Sequence, residues 1–172
     1  MDNPKPVPGV HGGGVPVIQY RIADSGQVLT FTDEVLAHFW RHRQIGSQRR
    51  ESGGQLFARF DHLHVIVLKA TGPRRQDQRG RFFFHPNRGL EQLEIRCMYK
   101  KGLHFIGDWH THEERIPHPS SLDLHSIDEC FRKSLHDLAG FVLVIVGTEP
   151  FPAGLHVSLH NNKGMTMLDL VR

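Results

Sequence analysis

A short stretch of this chain concentrates side chains that bind metal ions and move protons. It reads GDWHTHEERIPHPSSLD and contains the pair His110 and His112, followed by Ser120 and Asp123. Two imidazoles and one carboxylate can hold zinc and leave its fourth coordination position open for water. We therefore predict zinc ligands at His110, His112 and Asp123.

Glu51, far upstream in the segment ESGGQLF, adds a second carboxylate. In a hydrolytic metal site a carboxylate accepts the proton of the attacking water and later delivers it to the leaving amine. A hydroxyl group can stabilise the oxyanion that develops on the attacked carbonyl, and Ser120 is the candidate. The expected catalytic residues are therefore Glu51 and Ser120.

The His-x-His pair is weak evidence by itself, because histidine is abundant in this chain. With 14 histidines in 172 residues, about one such pair is expected by chance. A second pair, His62 and His64, lies in the strand-like run HLHVIVLKA without an acidic residue at a ligating offset, so we interpret it as structural or surface-exposed. His110 and His112 differ from it, because residues i and i+2 of a strand share a face and a carboxylate follows them.

Ser120-x-x-Asp123 has a second interpretation, as a capping box at the start of a helix. The two interpretations are compatible, because a helix that begins beside a metal can use the same groups for both purposes. The nearby His118 and His125 are expected in the loop or around the site rather than as ligands. Four protein ligands would close the site and indicate a structural zinc.

Proline and glycine dominate residues 1–14, which predicts a flexible leader before one domain at residues 15–172. Strand-like and helix-like patterns interleave in that domain, which indicates an α/β fold. The fully apolar run FVLVIVG predicts a central strand covered on both faces. The predicted strands are VPVIQYRI, QVLTFT, QLFARF, HLHVIVLKA, RFFFH, LHFIGDWH, FVLVIVG, LHVSLH and MTMLDLV.

Three helices are predicted from apolar residues at helical spacing. The first follows Thr32, the second runs over residues 87–101, and the third begins near Ser120 or Ser121 and is closed by Gly140. The residues expected on their apolar sides are Val35, Leu36, Phe39 and Trp40 in the first helix, Leu90, Leu93 and Cys97 in the second, and Ile127, Cys130, Phe131, Leu135 and Leu138 in the third.

Composition narrows the classes of protein. No apolar run approaches the ~20 residues of a membrane span, and the N-terminus lacks the apolar centre of a secretory signal, so a cytoplasmic location is expected. The only cysteines, Cys97 and Cys130, are expected to be small buried hydrophobes. The net charge of +3 is mild, and no nucleic-acid partner is expected. The densest basic cluster, residues 74–81, is interpreted as a solvated loop, or alternatively as a surface for an acidic partner or a wall of a substrate groove.

The motif resembles that of the JAMM (JAB1/MPN/Mov34) metalloprotease family, in particular its bacterial JAB branch. The family pattern is an upstream Glu, then His-x-His, seven residues, and Ser-x-x-Asp. Glu51 matches the first position, the pair at residues 110 and 112 the second, and Ser120 with Asp123 the last. Many members have proline where this chain has Glu113, which affects the expected shape of the loop. Glu113 and Glu114 are otherwise expected to be exposed acids.

The resemblance implies a single-domain JAB/MPN fold, with a mixed curved sheet flanked by about three helices. It also implies Zn²⁺-dependent cleavage after the C-terminus of a ubiquitin-like protein or its conjugate. Bacterial members occur with E1-like and E2-like enzymes, including in anti-phage defence, where they reverse or limit conjugation. Two alternatives stay open: a metallopeptidase for another small protein or peptide, and a non-catalytic MPN scaffold. A nucleobase deaminase is disfavoured, because it would require a Pro-Cys-x-x-Cys ligand pair.

Overall fold

The fold is a large mixed sheet with three helices, as expected for an α/β domain. The computed structural model describes residues 17–22, 25–46 and 48–171. The predicted leader over residues 1–14 therefore lies outside the described residues. Among the described residues, no helix combines the length and the apolar character that a membrane crossing requires.

Nine strands form one sheet in the spatial order β10-β9-β8-β7-β3-β4-β2-β1-β11. The pairs β2–β4 and β7–β8 are parallel, and the other neighbours are antiparallel. The strands of this sheet are β1 (Ile18–Ile22), β2 (Gln27–Phe31), β3 (Gly53–Phe60), β4 (His64–Ala70), β7 (His104–Thr111), β8 (Phe141–Val146), β9 (Leu155–Asn161), β10 (Gly164–Met167) and β11 (Asp169–Leu170). A separate hairpin consists of β5 (Gln78–Arg79) and β6 (Phe84–His85).

The centre of the sheet is covered on both faces, as the apolar run at residues 141–147 predicts. Every residue of β8 is buried. Residues that alternate along β8 belong to two separate hydrophobic clusters, with Val142, Val144 and Val146 on one side and Phe141, Leu143 and Ile145 on the other. The first cluster packs under α1 and the second under α3, so a single strand joins both halves of the core.

The helices begin where the sequence places them. They are α1 (Asp33–His42), α2 (Arg88–Tyr99) and α3 (Ser121–Lys133). Thr32 is the N-cap of α1, but its hydroxyl donates to the carbonyl of Val67 instead of capping the helix. Asn87 caps α2 by accepting a hydrogen bond from the Leu90 amide.

Several details of the helices differ from the sequence prediction. The third helix ends at Lys133, so Leu135 is fully exposed on the loop that follows instead of packing on an apolar helix face. Leu93 and Cys97 of α2 are exposed as well, which makes the prediction of a buried Cys97 wrong. The buried residue of α2 is Glu91, because the underside of this helix faces a polar network and not the core.

The terminal segment connects the two ends of the sheet. MTMLDLV forms two short strands rather than one: β10 pairs with β9, and β11 pairs with β1. Between them Leu168 is buried in the first hydrophobic cluster and its amide donates to Val157. The sheet therefore curves so strongly that its two edge strands, β10 and β11, follow one another in the same short segment of the chain.

Strand β9 carries a buried polar row. The hydroxyl of Ser158 lies 3.0 Å from His156 Nε2 and 2.9 Å from His160 Nε2. All three side chains are buried. Burial lowers the pKa of His156, and it lowers that of His160 to about 4. Both imidazoles are therefore neutral in the folded protein near pH 7.

Candidate metal centre

The C-terminal end of β7 presents two imidazoles side by side. The side chains of His110 and His112 project to the same side of the chain, and their Nε2 atoms are 3.1 Å apart. Between them Thr111 is buried in the ladder, and the preceding Trp109 anchors the opposite face by donating from Nε1 to the Thr71 carbonyl. The alternation of side chains along the strand thus produces the convergence that the His-x-His spacing predicts.

The first turn of α3 supplies the carboxylate. Asp123 Oδ1 lies 3.2 Å from His110 Nε2, and its Oδ2 lies 3.4 Å from His112 Nε2. Ser120 and Asp123 also form the capping box: each side chain accepts a hydrogen bond from the other residue's amide. The capping-box interpretation is therefore confirmed, and the cap also fixes the carboxylate beside the two imidazoles at the end of β7.

The three donor groups lie close enough to share one zinc ion. A tetrahedral ion with bonds of about 2.0–2.1 Å places its ligand atoms about 3.3 Å from one another. The two Nε2 atoms are 3.1 Å apart, and each lies near one carboxylate oxygen of Asp123, at 3.2 Å for His110 and Oδ1 and at 3.4 Å for His112 and Oδ2. Within the described part of the chain, His110, His112 and Asp123 are the group of acidic and histidine side chains that could hold a metal ion. The donor set therefore fits the zinc that the sequence predicts.

Electrostatics within the group favour an ionised aspartate. Burial opposes ionisation of Asp123, but the hydrogen bonds from His110 and His112 outweigh it and hold the pKa of the carboxyl well below its usual range. An ionised carboxylate is the form that ligates a metal.

Glu51 reaches the same site from the neighbouring strand. In the β3–β7 ladder Gly53 pairs with His110, which places Glu51 just beyond the end of β3 and beside the ligands. The side chain of Glu51 lines the same cavity as His112 and Asp123. Burial raises the pKa of Glu51 to about 7, with Asp123 adding to the rise and His112 opposing it. A carboxyl group with a pKa near neutrality is suited to accept and return a proton.

The two glycines after Glu51 are required by close packing. A Cβ atom at Gly53 would lie 2.6 Å from the ring of Phe84, and one at Gly54 would lie 1.9 Å from the carbonyl oxygen of Thr71. Larger residues at either position would push β3 away from its neighbours and displace Glu51. The two glycines of the Glu-x-Gly-Gly pattern therefore allow β3, which directly follows Glu51 and Ser52, to pack closely against its neighbours.

The basic segment at residues 74–81 is only partly solvated: Arg75 and Arg81 are exposed, whereas Arg74 and Arg79 pack against the protein. Arg79 donates from Nε to the carbonyl of Glu51 and from Nη2 to the hydroxyl of Ser52, while the Glu51 amide donates to Gly80. Arg81 forms a two-bond ion pair with Glu113 and lines the cavity, so it is part of the predicted groove wall. Here Glu113 contacts the β5–β6 hairpin through Arg81, at the position where many members of the JAMM family have proline.

The remaining histidines of interest lie outside the ligand group. His62 is exposed in the turn before β4, and His64 hydrogen-bonds to the carboxylate of Asp61. His118 and His125 are exposed beside the site, where each lies about 4 Å from a glutamate.

A groove leads away from the ligands between α2 and α3. Its volume is about 430 Å³, within the range of ligand-binding clefts. The ligand residues and Glu51 stand at one end, and Asp108 and Leu143 form part of its floor. A second cavity of about 310 Å³ continues past Asp108 along α2 and α3.

The charged groups at the floor of the groove were not predicted from the sequence. The negative charge of Glu91 acts on Asp108, and burial raises the pKa of both carboxyl groups. Arg88 pairs with Glu91, and Arg74 contacts Glu94. Asp108 lies two residues before His110, on the same side of β7. This spacing is the feature of the sequence from which its place beside the site could have been predicted.

Comparison with known proteins identifies the class to which the fold and site belong. The family described as prokaryotic homologues of the JAB domain matches residues 32–158, so the chain belongs to that family. The match begins at the N-cap of α1 and ends within β9, so it includes Glu51 and all three candidate ligands.

Three relatives carry the name CD-NTase/cGAS isopeptidase. The protein from Escherichia coli is 28% identical over 132 residues, which cover 75% of this chain and 76% of the relative. That from Vibrio cholerae is 29% identical over 140 residues, covering 76% and 83%. That from Pseudomonas aeruginosa is 33% identical over 103 residues, covering 58% and 65%.

Solved structures show the same fold at low sequence identity. A solution structure of a protein from Desulfitobacterium hafniense aligns with a TM-score of 0.61 and 19% identity, covering 82% of this chain and 90% of that one. A protein from Salinibacter ruber aligns with a TM-score of 0.50 and 19% identity, covering 83% and 90%.

Proposed function

We propose that this protein is a zinc-dependent isopeptidase that cleaves the bond after the C-terminus of a ubiquitin-like protein or its conjugate. The target of conjugation would be an enzyme of the CD-NTase/cGAS class, as the names of the relatives suggest. In this proposal the reaction reverses or processes bacterial ubiquitin-like conjugation in anti-phage defence, alongside E1-like and E2-like enzymes.

One observation carries the proposal: two imidazoles and a carboxylate that converge closely enough to hold one metal ion share a cavity with a second carboxyl group and a hydroxyl group. A bare structural metal would need neither a base nor an oxyanion donor. The isopeptidase name of the relatives supports a hydrolase, and family membership supports this reaction over deamination.

The side chains divide the work of hydrolysis. His110, His112 and Asp123 would hold the zinc, which supplies Lewis-acid activation of water and of the scissile carbonyl. Glu51 takes a proton from the attacking water and delivers it to the departing lysine amine. Burial raises the pKa of this carboxyl group above its usual value, which favours uptake of the proton.

Ser120 stabilises the charge that develops on the carbonyl oxygen. Its hydroxyl oxygen accepts a hydrogen bond from the Asp123 amide. This bond fixes the oxygen and leaves the hydroxyl hydrogen free to donate to the carbonyl oxygen of the substrate. A donor held in place before the reaction stabilises an oxyanion without reorganisation.

The deciding experiment pairs metal analysis with cleavage of a defined conjugate. The substrate is a ubiquitin-like protein linked through its C-terminus to a lysine of a CD-NTase, with the products resolved by mass spectrometry. Wild-type protein should contain zinc and release both partners. Glu51→Gln should keep zinc and lose about 10²–10⁴-fold in rate, because the proton acceptor is gone.

His112→Ala separates binding from catalysis, because it should lose zinc as well as activity. Wild-type protein that contains no metal when freshly purified would contradict the proposal and favour a scaffold. A Glu51→Gln variant with the wild-type rate would remove the assigned base.

A further inference from the structure

The floor of the groove contains a carboxylate without a partner. Asp108 Oδ1 is buried and has no hydrogen-bond partner within the described residues. A buried carboxylate without a partner is costly, and such groups in folded proteins usually have a ligand or a function. The surface that Asp108 retains opens into the groove, because the residue lines both of its cavities.

The positive charges near Asp108 compensate it only in part. Arg88 and Arg74 both act on its carboxyl group, yet Arg88 is engaged with Glu91, and Arg74 lies against Glu94 and near Asp77. Each arginine is therefore already paired with another acid. A cation that enters the groove would find Asp108 free to accept its hydrogen bonds.

The position of Asp108 relates it to the reaction site. Asp108 and His110 lie on the same side of β7, two residues apart, which corresponds to about 7 Å along a strand. An extended peptide advances about 3.3 Å per residue, so a side chain two or three residues from the scissile bond would reach Asp108.

The position of the groove between α2 and α3 decides which part of the substrate enters. The lysine that leaves belongs to a folded target and needs an open approach to the ligands. A flexible C-terminal tail, in contrast, can lie extended between α2 and α3.

We propose that Asp108 is a specificity-determining residue that binds a cationic side chain, arginine or lysine, near the end of the tail that is cleaved. The inference rests on the proposed function for the direction of the tail. It adds a charge requirement to the substrate, since a tail with a neutral or acidic residue at that position would leave the carboxylate unpaired.

Binding of product-like peptides tests this without any cleavage step. The probes are fluorescein-labelled peptides of glycine, serine and valine with a free C-terminal carboxylate. Each carries one arginine at the second, third or fourth residue from the end. Matched peptides carry citrulline there, which has the shape of arginine without its charge. Fluorescence anisotropy measures the affinity for the zinc-containing wild-type protein.

At one of these positions the arginine peptide should bind about tenfold to a hundredfold more tightly than the citrulline peptide, the usual range for a hydrogen-bonded ion pair at a buried carboxylate. Asp108→Asn should abolish this difference. Asp137→Asn, which removes the same charge from an exposed loop residue, should preserve it. Thermal unfolding followed by circular dichroism establishes that both variants are folded.

Equal binding of the two peptides at all positions, or no binding of either, overturns the proposal even if Asp108→Asn fails to fold. Discrimination that persists in folded Asp108→Asn also overturns it. The outcomes are separable from those of the cleavage assay. A protein that cleaves no conjugate but discriminates the peptides has the subsite without the proposed function, and the reverse result removes only the subsite.

Discussion

At the scale of single residues, the site depends on groups that serve two purposes. Asp123 caps the backbone of Ser120 and also meets the two imidazoles. Ser120 fixes the Asp123 amide and also faces the cavity. Mutations at these positions therefore mix stability with chemistry, and controls must separate the two effects.

Ser120→Ala should retain zinc and lose about a hundredfold or more in kcat, because the oxyanion donor is removed. Loss of the cap should also lower the free energy of unfolding by about 1 kcal/mol. Single-turnover cleavage, metal analysis and urea unfolding measure the three quantities. Ser121→Ala is the matched control, since this exposed neighbour belongs to the first turn without contacting the ligands. A Ser120→Ala enzyme with wild-type kcat would remove the role from this hydroxyl.

At the scale of elements, the β5–β6 hairpin supports Glu51, the proposed base. Arg79 and Gly80 hold the carbonyl and the amide of Glu51 from one side, while the ladder of β3 with β7 holds the residues that follow it. The sequence interpretation of a solvated loop misses this role because the contacts join segments far apart in the chain.

Arg79→Ala should reduce kcat by about tenfold or more with zinc content unchanged, since small displacements of a reacting group are costly. KM should change little, because Arg79 binds the backbone beneath the base. Steady-state kinetics with metal analysis tests the split. Arg75→Ala removes an exposed arginine of the same segment and should behave like wild type. Equal losses in both variants would indicate an effect of net charge instead.

Gly54→Ala should lower the free energy of unfolding by about 2 kcal/mol or more, because the added methyl group would overlap the backbone of Thr71. Gly89→Ala is the comparison: its nearest neighbour would be 3.4 Å away, and alanine favours the helix by up to about 1 kcal/mol. Urea denaturation of both variants measures the difference. A Gly54→Ala protein as stable as wild type would show that β3 can shift.

The parts of the site that sequence reasoning finds are those that local geometry determines. His110 and His112 converge because a strand alternates its side chains, and Ser120 with Asp123 follow from helix capping. The chemistry of a carboxylate and the family pattern both single out Glu51, but local geometry does not place it, since only the pairing of β3 with β7 brings it to the candidate ligands. Asp108 and Arg79 were missed because their environments are created by α2 and the hairpin. Leu135 and Cys97 were misplaced because apolar periodicity continues beyond the packed faces of the helices.

At the scale of the whole molecule, the buried row on β9 links stability to pH. The ordinary pKa of His160 is 6.5, and folding lowers it to about 4. Between these values the unfolded chain binds a proton that the folded protein excludes, so stability falls as pH drops from 6.5 towards 4. His156 changes in the same direction.

The loss attributable to His160 should approach about 3 kcal/mol at pH 4, from the size of the shift in pKa. Urea unfolding at pH 7, 6, 5 and 4 measures it. His160→Gln should flatten the dependence, because the glutamine does not titrate. His62→Gln, at an exposed turn, should leave the wild-type slope. A slope unchanged by His160→Gln would mean that other groups cause the acid sensitivity.

The segment at residues 164–170, whose strands β10 and β11 pair with the two ends of the sheet, has a consequence for synthesis on the ribosome. Strand β1 pairs with β2 as soon as both are synthesised, yet its other neighbour, β11, lies far downstream in the chain. Until residues 164–170 are synthesised, the nascent chain exposes one edge of β1 and one edge of β9, the arrangement most prone to pairing with other chains. A chain that stops before residue 164 would leave both edges open, whereas one that stops between β10 and β11 would leave only the edge of β1 open.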